Sequence, residues 1–568
     1  MVTNRILKTL ALPVAVALGM FAASCSNDDN ILDEQQPSAA KYEIPVTVSA
    51  TRSGDDASTR AVYDSGSKKL TFEEGDQLFI QGTDDTAGTF AGLLSNTAGA
   101  ASTFSGTLTT ANAYTGTFAA LFGSASSLTA TLLPKDYSTK VNGYLTLSGE
   151  GASQTLSVDA TKAFVTATSA AAAKKLAIEQ LSLEQATTYS SGTGFALAPV
   201  NAVLNYTLSG LTASTSIDVT VSDGTTTVSG SVSTNSSGVA TFAVGYAGEA
   251  GSKTYTVSTS GKDDDAVTAS LKAKKVYNVT RFMYPVGAIH GQFTVSSGKK
   301  VCFSKGNLQY IGSAATPYWK LADNQWNYLS TNGSDATNVD RDLFGWGTSG
   351  SAPSGQTARD PYYTTQTNTD YVPNITTTGA SWGENSEWDW GHNAISNGGN
   401  TADVWRTLTG GSGGEWAWIL GPSSSPNPGT NCRTSSTIGS TANARWVKAT
   451  VHETEGLIIF PDAITWDATS MGTAPTTCNN ASSNFTTYSP SDAYWSVLES
   501  SGCVFLPAAG YRGGTTVVHV GDYGGYWSST AFSANYACRL YFSSSSVNPA
   551  SNVNRCNGYS VRLVQNLN

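Results

Sequence analysis

Apolar and polar residues alternate through much of the first half of the chain. Tyr42, Ile44, Val46 and Val48 recur at every second position across 42–49, the period of a strand with one buried face. Comparable runs stand at 69–72, 77–81, 129–133, 144–147, 198–208, 216–221, 226–232, 239–244, 253–257 and 276–281, separated by Gly, Ser, Asp and Asn turns. One segment, 170–183, is rich in Ala, Lys and Leu and predicts a helix. The spacing predicts two β-sandwiches, over 42–150 and 151–284. After Pro285 the strands shorten and turn aromatic, with candidates at 456–460 and 503–506. Ser412 and Glu415 stand at capping-box spacing, so a helix is expected from Glu415, and a second over 492–499. The expected class is mainly β with some α, two sandwiches followed by an α+β domain over 285–568.

Composition sharpens the junction. All 13 Trp lie between Trp319 and Trp527, and every Cys except Cys25 lies at or beyond Cys302. With 568 residues the chain can hold several domains, each with its own core. The net charge is −10, with no basic cluster beyond the first ten residues, so a nucleic-acid partner lacks an electrostatic footprint.

Catalytic chemistry has few players. Gly410 to Gly414 formally fits GxSxG, but no acid and His follow in a supporting pattern. His452 and Glu453 lack the second His of a zinc helix. Asp340, Asp342, Glu384 and Glu387 could offer oxygens to calcium, although such groups are more often solvated loop carboxylates. No enzyme, cofactor or metal is expected. Cys302, Cys432, Cys478 and Cys503 could form disulfides in an oxidising compartment.

Arg5 and Lys8 precede an apolar run at 10–21, too short to span a membrane comfortably, which ends AlaAlaSerCys at 22–25. This resembles the lipobox of bacterial lipoproteins, which implies a signal peptide over 1–24, acylation of Cys25 and a tether over 25–41. SerAsnAspAsp at 26–29 resembles the surface-export signal of lipoproteins in Bacteroides-like bacteria. The implied location is the outer membrane at the cell surface, held by the lipid anchor.

PheGluGluGlyAspGlnLeuPheIle at 72–80 and LysValTyrAsnVal at 275–279 resemble the fimbrillins of type V pili. The resemblance implies proteolytic processing after an early arginine, Arg60 here with Arg52 as second choice, and removal of the 42–49 strand. The groove would then take a strand from another pilus subunit, a donor-strand exchange.

The last segment has a different signature. Between Tyr511 and Val564 there is no Lys, Glu, Gln or Met, whereas 286–340 contains Gln292, Lys299, Lys300, Lys305, Gln309, Lys320 and Gln325. Randomising the adenines of AAC or AAT codons would reach Asn, Ser, Tyr, Cys, His, Arg, Gly, Asp, Val, Phe, Ala and Thr, and would exclude those four types. A frame of Gly510, Tyr526, Trp527, Leu540, Phe542, Val547, Pro549, Val561 and Leu563 runs between such residues. The motifs at 301–310, 323–328 and 342–348 resemble a domain repeated in many Bacteroides surface lipoproteins, and 405–420 is similar to the first helix of lectin-like and formylglycine-generating-enzyme-like folds. The alternation of frame and allowed residues resembles the variable region of diversity-generating retroelement targets, at the end of a C-type-lectin-like domain. The resemblance implies a rewritable ligand-binding face within 511–564. Its candidate residues are Tyr511, Gly513, Val518, His519, Tyr523, Gly525, Phe532, Ser533, Tyr536, Cys538, Arg539, Tyr541, Ser543, Ser546, Ser551, Val553, Cys556 and Tyr559. Tyr and Arg among Ser and Asn make a paratope-like mixture. The expected function is a cell-surface or pilus-tip adhesin for a variable protein or glycan ligand. The alternative is a structural pilus subunit or anchor.

Overall fold

The computed structural model describes residues 42–52, 62–63, 70–96, 102–140, 143–248, 251–333, 336–364, 367–421 and 445–567. The expected lipidation site Cys25, the cleavage site Arg60, the signal and tether segments and Cys432 lie outside these residues. The fold is mainly β.

The strand Tyr42–Arg52 alternates as its sequence predicts, with Val46, Val48 and Ala50 turned inward. It pairs antiparallel with Thr103–Thr110 and parallel with Gly194–Pro199. From Thr103–Thr110 the sheet runs through Gly88–Ser95, Gln77–Asp84, Ser127–Leu133 and Glu184–Ala186 back to Gly194–Pro199. It therefore closes on itself around Phe90, Phe104, Phe122 and Phe195, which leaves few open edges. Strands beyond residue 150 belong to this first sheet, unlike the division expected from spacing. Their pairing is long-range, which local periodicity does not encode.

The run at 198–208, expected as one strand, is divided at the exposed Val200. Gly194–Pro199 serves the first sheet and Asn201–Ser209 the second. Two four-stranded sheets then enclose Leu204, Tyr206, Val219, Val221, Phe242 and Val257. The helix Ala170–Gln180 starts at Ser169, whose hydroxyl accepts the Ala172 amide, and stops before 183 because the chain turns into the Glu184–Ala186 strand. Ala177 and Leu181 pack with Phe79 and Leu133, which joins the two β units through a shared apolar layer.

In the C-terminal region Lys299–Phe303 pairs antiparallel with both Phe293–Ser296 and Leu563–Leu567, so the beginning and end of the region share one sheet. Trp446–Val451, Thr454–Ile459 and Val504–Pro507 form a second sheet. Tyr523–Ala531, Tyr536–Ser543 and Ser546–Asn554 form a third. The expected helices appear as Glu415–Leu420 and Asp492–Ser500, with a short further one at Ala468–Met471. Ser412 does not cap the first, whose N-cap is Gly414; instead Thr409 Oγ1 accepts the Glu415 amide at 3.0 Å while Glu415 Oε2 accepts the Thr409 amide at 2.9 Å.

Long loops between these sheets are organised by buried Trp and buried charge. Trp346, Trp388 and Trp390 are sealed in one core with Trp527. Asp389 accepts Trp382 Nε1 at 2.9 Å and the Gly391 and Thr407 amides at 2.9 and 3.0 Å. Asp342, offered by the sequence as a calcium ligand, is fully buried and accepts from Asn332 Nδ2 and the Leu329 amide. Burial pushes its carboxyl up to about 7. Among the described residues no group of three or more His, Cys, Asp or Glu could hold a metal, and no helix is long and apolar enough to cross a membrane. Cys302 and Cys503 form no disulfide with a described residue, and burial pushes the Cys302 thiol up to about 12.

Candidate ligand-binding face

The sheet built from Tyr523–Ala531, Tyr536–Ser543 and Ser546–Asn554 has two unlike faces. Antiparallel pairing sets Tyr526 against Leu540 and Phe542 against Val547, and all of these are buried. The same register sets Tyr523 against Ser543, Gly525 against Tyr541, Ser543 against Ser546, Arg539 against Ser551 and Ala537 against Val553. Directly paired residues share a face, so Tyr523, Gly525, Arg539, Tyr541, Ser543, Ser546, Ser551 and Val553 lie together on the other side. Every frame residue named from the sequence is buried.

Neighbouring elements extend this face. In the hairpin of Tyr511–Gly513 and Thr516–Val518, Tyr511 pairs with Val518. The Tyr511 ring stands 5.5 Å from Tyr523, 5.7 Å from Tyr559 and 6.0 Å from His519. Tyr523 and Tyr541 are 4.6 Å apart. The Arg539 guanidinium lies among them, 4.4 Å from the Tyr559 ring and 5.2 Å from each of Tyr523 and Tyr541. Such contacts contribute about 0.5–2 kcal/mol each. They order an aromatic patch whose hydroxyls have polar reach.

Four expected contact residues prove to be buried, and their role is corrected to support. Gly525 is floor: a Cβ there would lie 2.3 Å from the Tyr559 ring. Tyr559 is 1% exposed, packed edge-on to Trp527. Arg539 is 6% exposed, and Cys538 lies on the opposite, inward side of its strand. Burial pushes the Cys538 thiol up to about 11, so it is a neutral thiol near pH 7.

The rest are accessible in differing degree. Phe532 and Tyr536 are each 41% exposed at the turn between their strands, with Ser533 half-buried beside them. His519 and Gly513 are exposed, and Tyr511, Val518, Tyr523, Tyr541, Ser543, Ser546, Ser551, Val553 and Cys556 are half-buried. Phe532, Ser533, Tyr536 and Cys538 sit apart from the tyrosine cluster. Phe532 and Cys538 line a separate cavity of about 570 Å³ closed by Thr378, Ser381 and the glycine run 410–414.

Sequence reasoning missed that cavity and one residue of the face, Asn548, which pairs with Tyr541. An Asn is what an unaltered AAC or AAT codon encodes, so the signal for Asn548 was available. No local signal brings Thr378 beside Phe532, whose carbonyl accepts the Thr378 hydroxyl at 2.7 Å.

Arg555 fixes the support under the turn. Its guanidinium donates to the carbonyls of Tyr371 and Val372 at 2.9 Å, to Ile375, and to Ser533 at 2.5 Å, and it stacks 4.4 Å over Trp346. Removal from water lowers its pKa to about 10, which leaves it charged near neutrality.

The architecture is thus that of a mainly β protein carrying an aromatic, solvent-facing sheet at its C-terminal end. A family model described as "Domain of unknown function (DUF8237)" matches residues 490–564. Among solved structures, the chain is similar to a fimbrial protein from Bacteroides ovatus ATCC 8483, at 11% identity over 92% of this chain and 99% of that one, with a TM-score of 0.17. A candidate cell adhesion protein of the same organism is 12% identical over 42% of this chain and 94% of its own, with a TM-score of 0.21. The tip fimbrial protein Mfa3 from Porphyromonas gingivalis is 8% identical over 40% and 81%, with a TM-score of 0.17. These scores are low, so the fold is argued from its own strand pairing and cores. No curated protein matches.

Proposed function

We propose that this chain is a cell-surface adhesin, a lipoprotein of the outer membrane or pilus tip, whose C-terminal C-type-lectin-like domain presents a retroelement-diversified binding face. The observation that carries the reading is the separation of positions within one sheet. The frame residues are buried, Trp527 beneath the candidate side where it pairs with Arg539 and Tyr526, Leu540, Phe542 and Val547 on the inward side, while most positions of allowed codon content gather on the one outer side. The patch of Tyr511, His519, Tyr523 and Tyr541 offers large contact areas with polar tips, as binding surfaces require. Its work is binding, not catalysis.

Adherence of the full chain to bacterial and host-cell surfaces tests this. The double substitution Tyr523→Ser with Tyr541→Ser is expected to weaken adherence by roughly tenfold or more while the fold persists. Unchanged adherence would sink the reading. For the diversification itself, the gene neighbourhood should hold a near-copy of codons 511–564 that differs only at adenines, beside a reverse transcriptase.

The first strand supports a pilus partner as a second element of the proposal. Tyr42–Arg52 bridges Thr103–Thr110 and Gly194–Pro199 and inserts Val46, Val48 and Ala50 into the core. Loss of that strand would open a groove with two unpaired edges, which a strand from a neighbouring subunit could fill. Arg60 is the proposed cut. Arg52 is a poor alternative in the folded chain, since its buried guanidinium forms an ion pair with Glu184.

A further inference from the structure

The cavity beside the sheet has a lining of unusual uniformity. Thr378, Ser381, Thr409, Ser412, Thr530 and Phe532 are among the residues that line about 570 Å³, a volume ordinary for a small-ligand site. Among the described residues no Asp, Glu, Lys, Arg or His lines it. Its one titratable group is Cys538, which burial keeps neutral.

Charge selects against ions of either sign. An anion entering would meet no cation, and a cation no carboxylate, so each would be desolvated without a partner. A wholly apolar ligand would strip water from the hydroxyls without replacing it. A hydroxyl both donates and accepts, so the complementary ligand is one that also carries many hydroxyls. Phe532, 41% exposed at the mouth, offers a flat apolar surface for the C–H face of a sugar ring.

We propose that this cavity binds the end of a neutral, uncharged glycan, a specificity that rests on the adhesin reading and adds to it a site distinct from the tyrosine patch. Ser381 Oγ and Thr530 Oγ1 lie 2.7 Å apart and Thr530 also accepts the Gly410 amide at 2.9 Å, which orients the floor for incoming hydroxyls. The glycine run keeps the wall thin. A Cβ at Gly410 would lie 2.3 Å from Ser528 Oγ, whereas one at Gly413 would meet nothing within 4 Å, so a side chain added there projects into open space at the rim.

The test uses the full chain on an array of neutral and acidic oligosaccharides, alongside its adherence to cells. Phe532→Ala removes the platform and Gly413→Tyr obstructs the rim, with thermal unfolding read for each. Neutral oligosaccharides are expected to bind, and both variants to weaken that binding by roughly tenfold or more. Binding to acidic glycans alone, or neutral binding that neither variant disturbs, overturns the proposal. Adherence to cells with no glycan bound overturns it too, while leaving the adhesin reading in place. Failure to bind either glycans or cells removes both.

Discussion

The two halves of the chain solve the same problem, burying backbone, by different means. In the N-terminal half, long strands pair with one another around aliphatic and Phe cores, and the closed first sheet needs little else. In the C-terminal half, long loops connect the strands, and where they pass through the core their carbonyls and amides need side-chain partners. Arg555, Asp389, Asn332 and Asp342 supply these. A loop-rich domain can hold a defined surface because its loops are fixed from beneath by polar groups that are not themselves on display.

Removing a buried polar tie should give the largest effect. Arg555→Met strands the carbonyls of Tyr371, Val372, Ile375 and Ser533, and is expected to destabilise the C-terminal region by about 1–3 kcal/mol for each carbonyl left without a donor. Denaturant unfolding followed by Trp fluorescence reads that region, since all 13 Trp lie there. Leu78→Ala is the reciprocal case. Leu78 is wholly buried in the closed sheet, and the expected loss is about 2–5 kcal/mol, seen by circular dichroism with the Trp-reported transition little moved. If either variant shifted both transitions alike, the contrast between the halves would fail.

Acidity separates the halves further. Burial raises the Asp342 carboxyl from 3.8 to about 7, so the folded state holds a proton that the unfolded chain releases. Its stabilising contribution is full below 3.8 and is lost as pH rises through about 7. The Trp-reported midpoint should therefore fall over that window, and Asp342→Asn should flatten the dependence. An unchanged slope in the variant would show that other groups set it.

Within the sheet of Tyr523–Ala531, Tyr536–Ser543 and Ser546–Asn554 the expected effects are smaller and differ between buried and exposed positions. Gly525→Ala drives a methyl into Tyr559 and should cost about 1–3 kcal/mol. Tyr536→Ser, at an exposed turn, should stay within about 0.5 kcal/mol by the same thermal measurement. Equal costs would erase the distinction between frame and free positions.

Period-two alternation in the sequence determined most of the N-terminal strands and the facing of Tyr42–Arg52, because a strand half-buried against a core must alternate. It also determined the inward face of the C-terminal three-stranded sheet, since Tyr526, Leu540, Phe542 and Val547 are apolar at positions that pairing turns inward. Local content could not determine where the strands after 150 pair, since the partner of Gly194–Pro199 is Tyr42–Arg52, distant along the chain. Nor could it determine that Arg539 and Tyr559, of ordinary surface type, are buried beneath their neighbours, or that Thr378, the 410–414 glycines and Phe532 enclose one cavity. Those facts arise only when loops far apart in sequence pack together, because burial belongs to the packed surface and not to the residue.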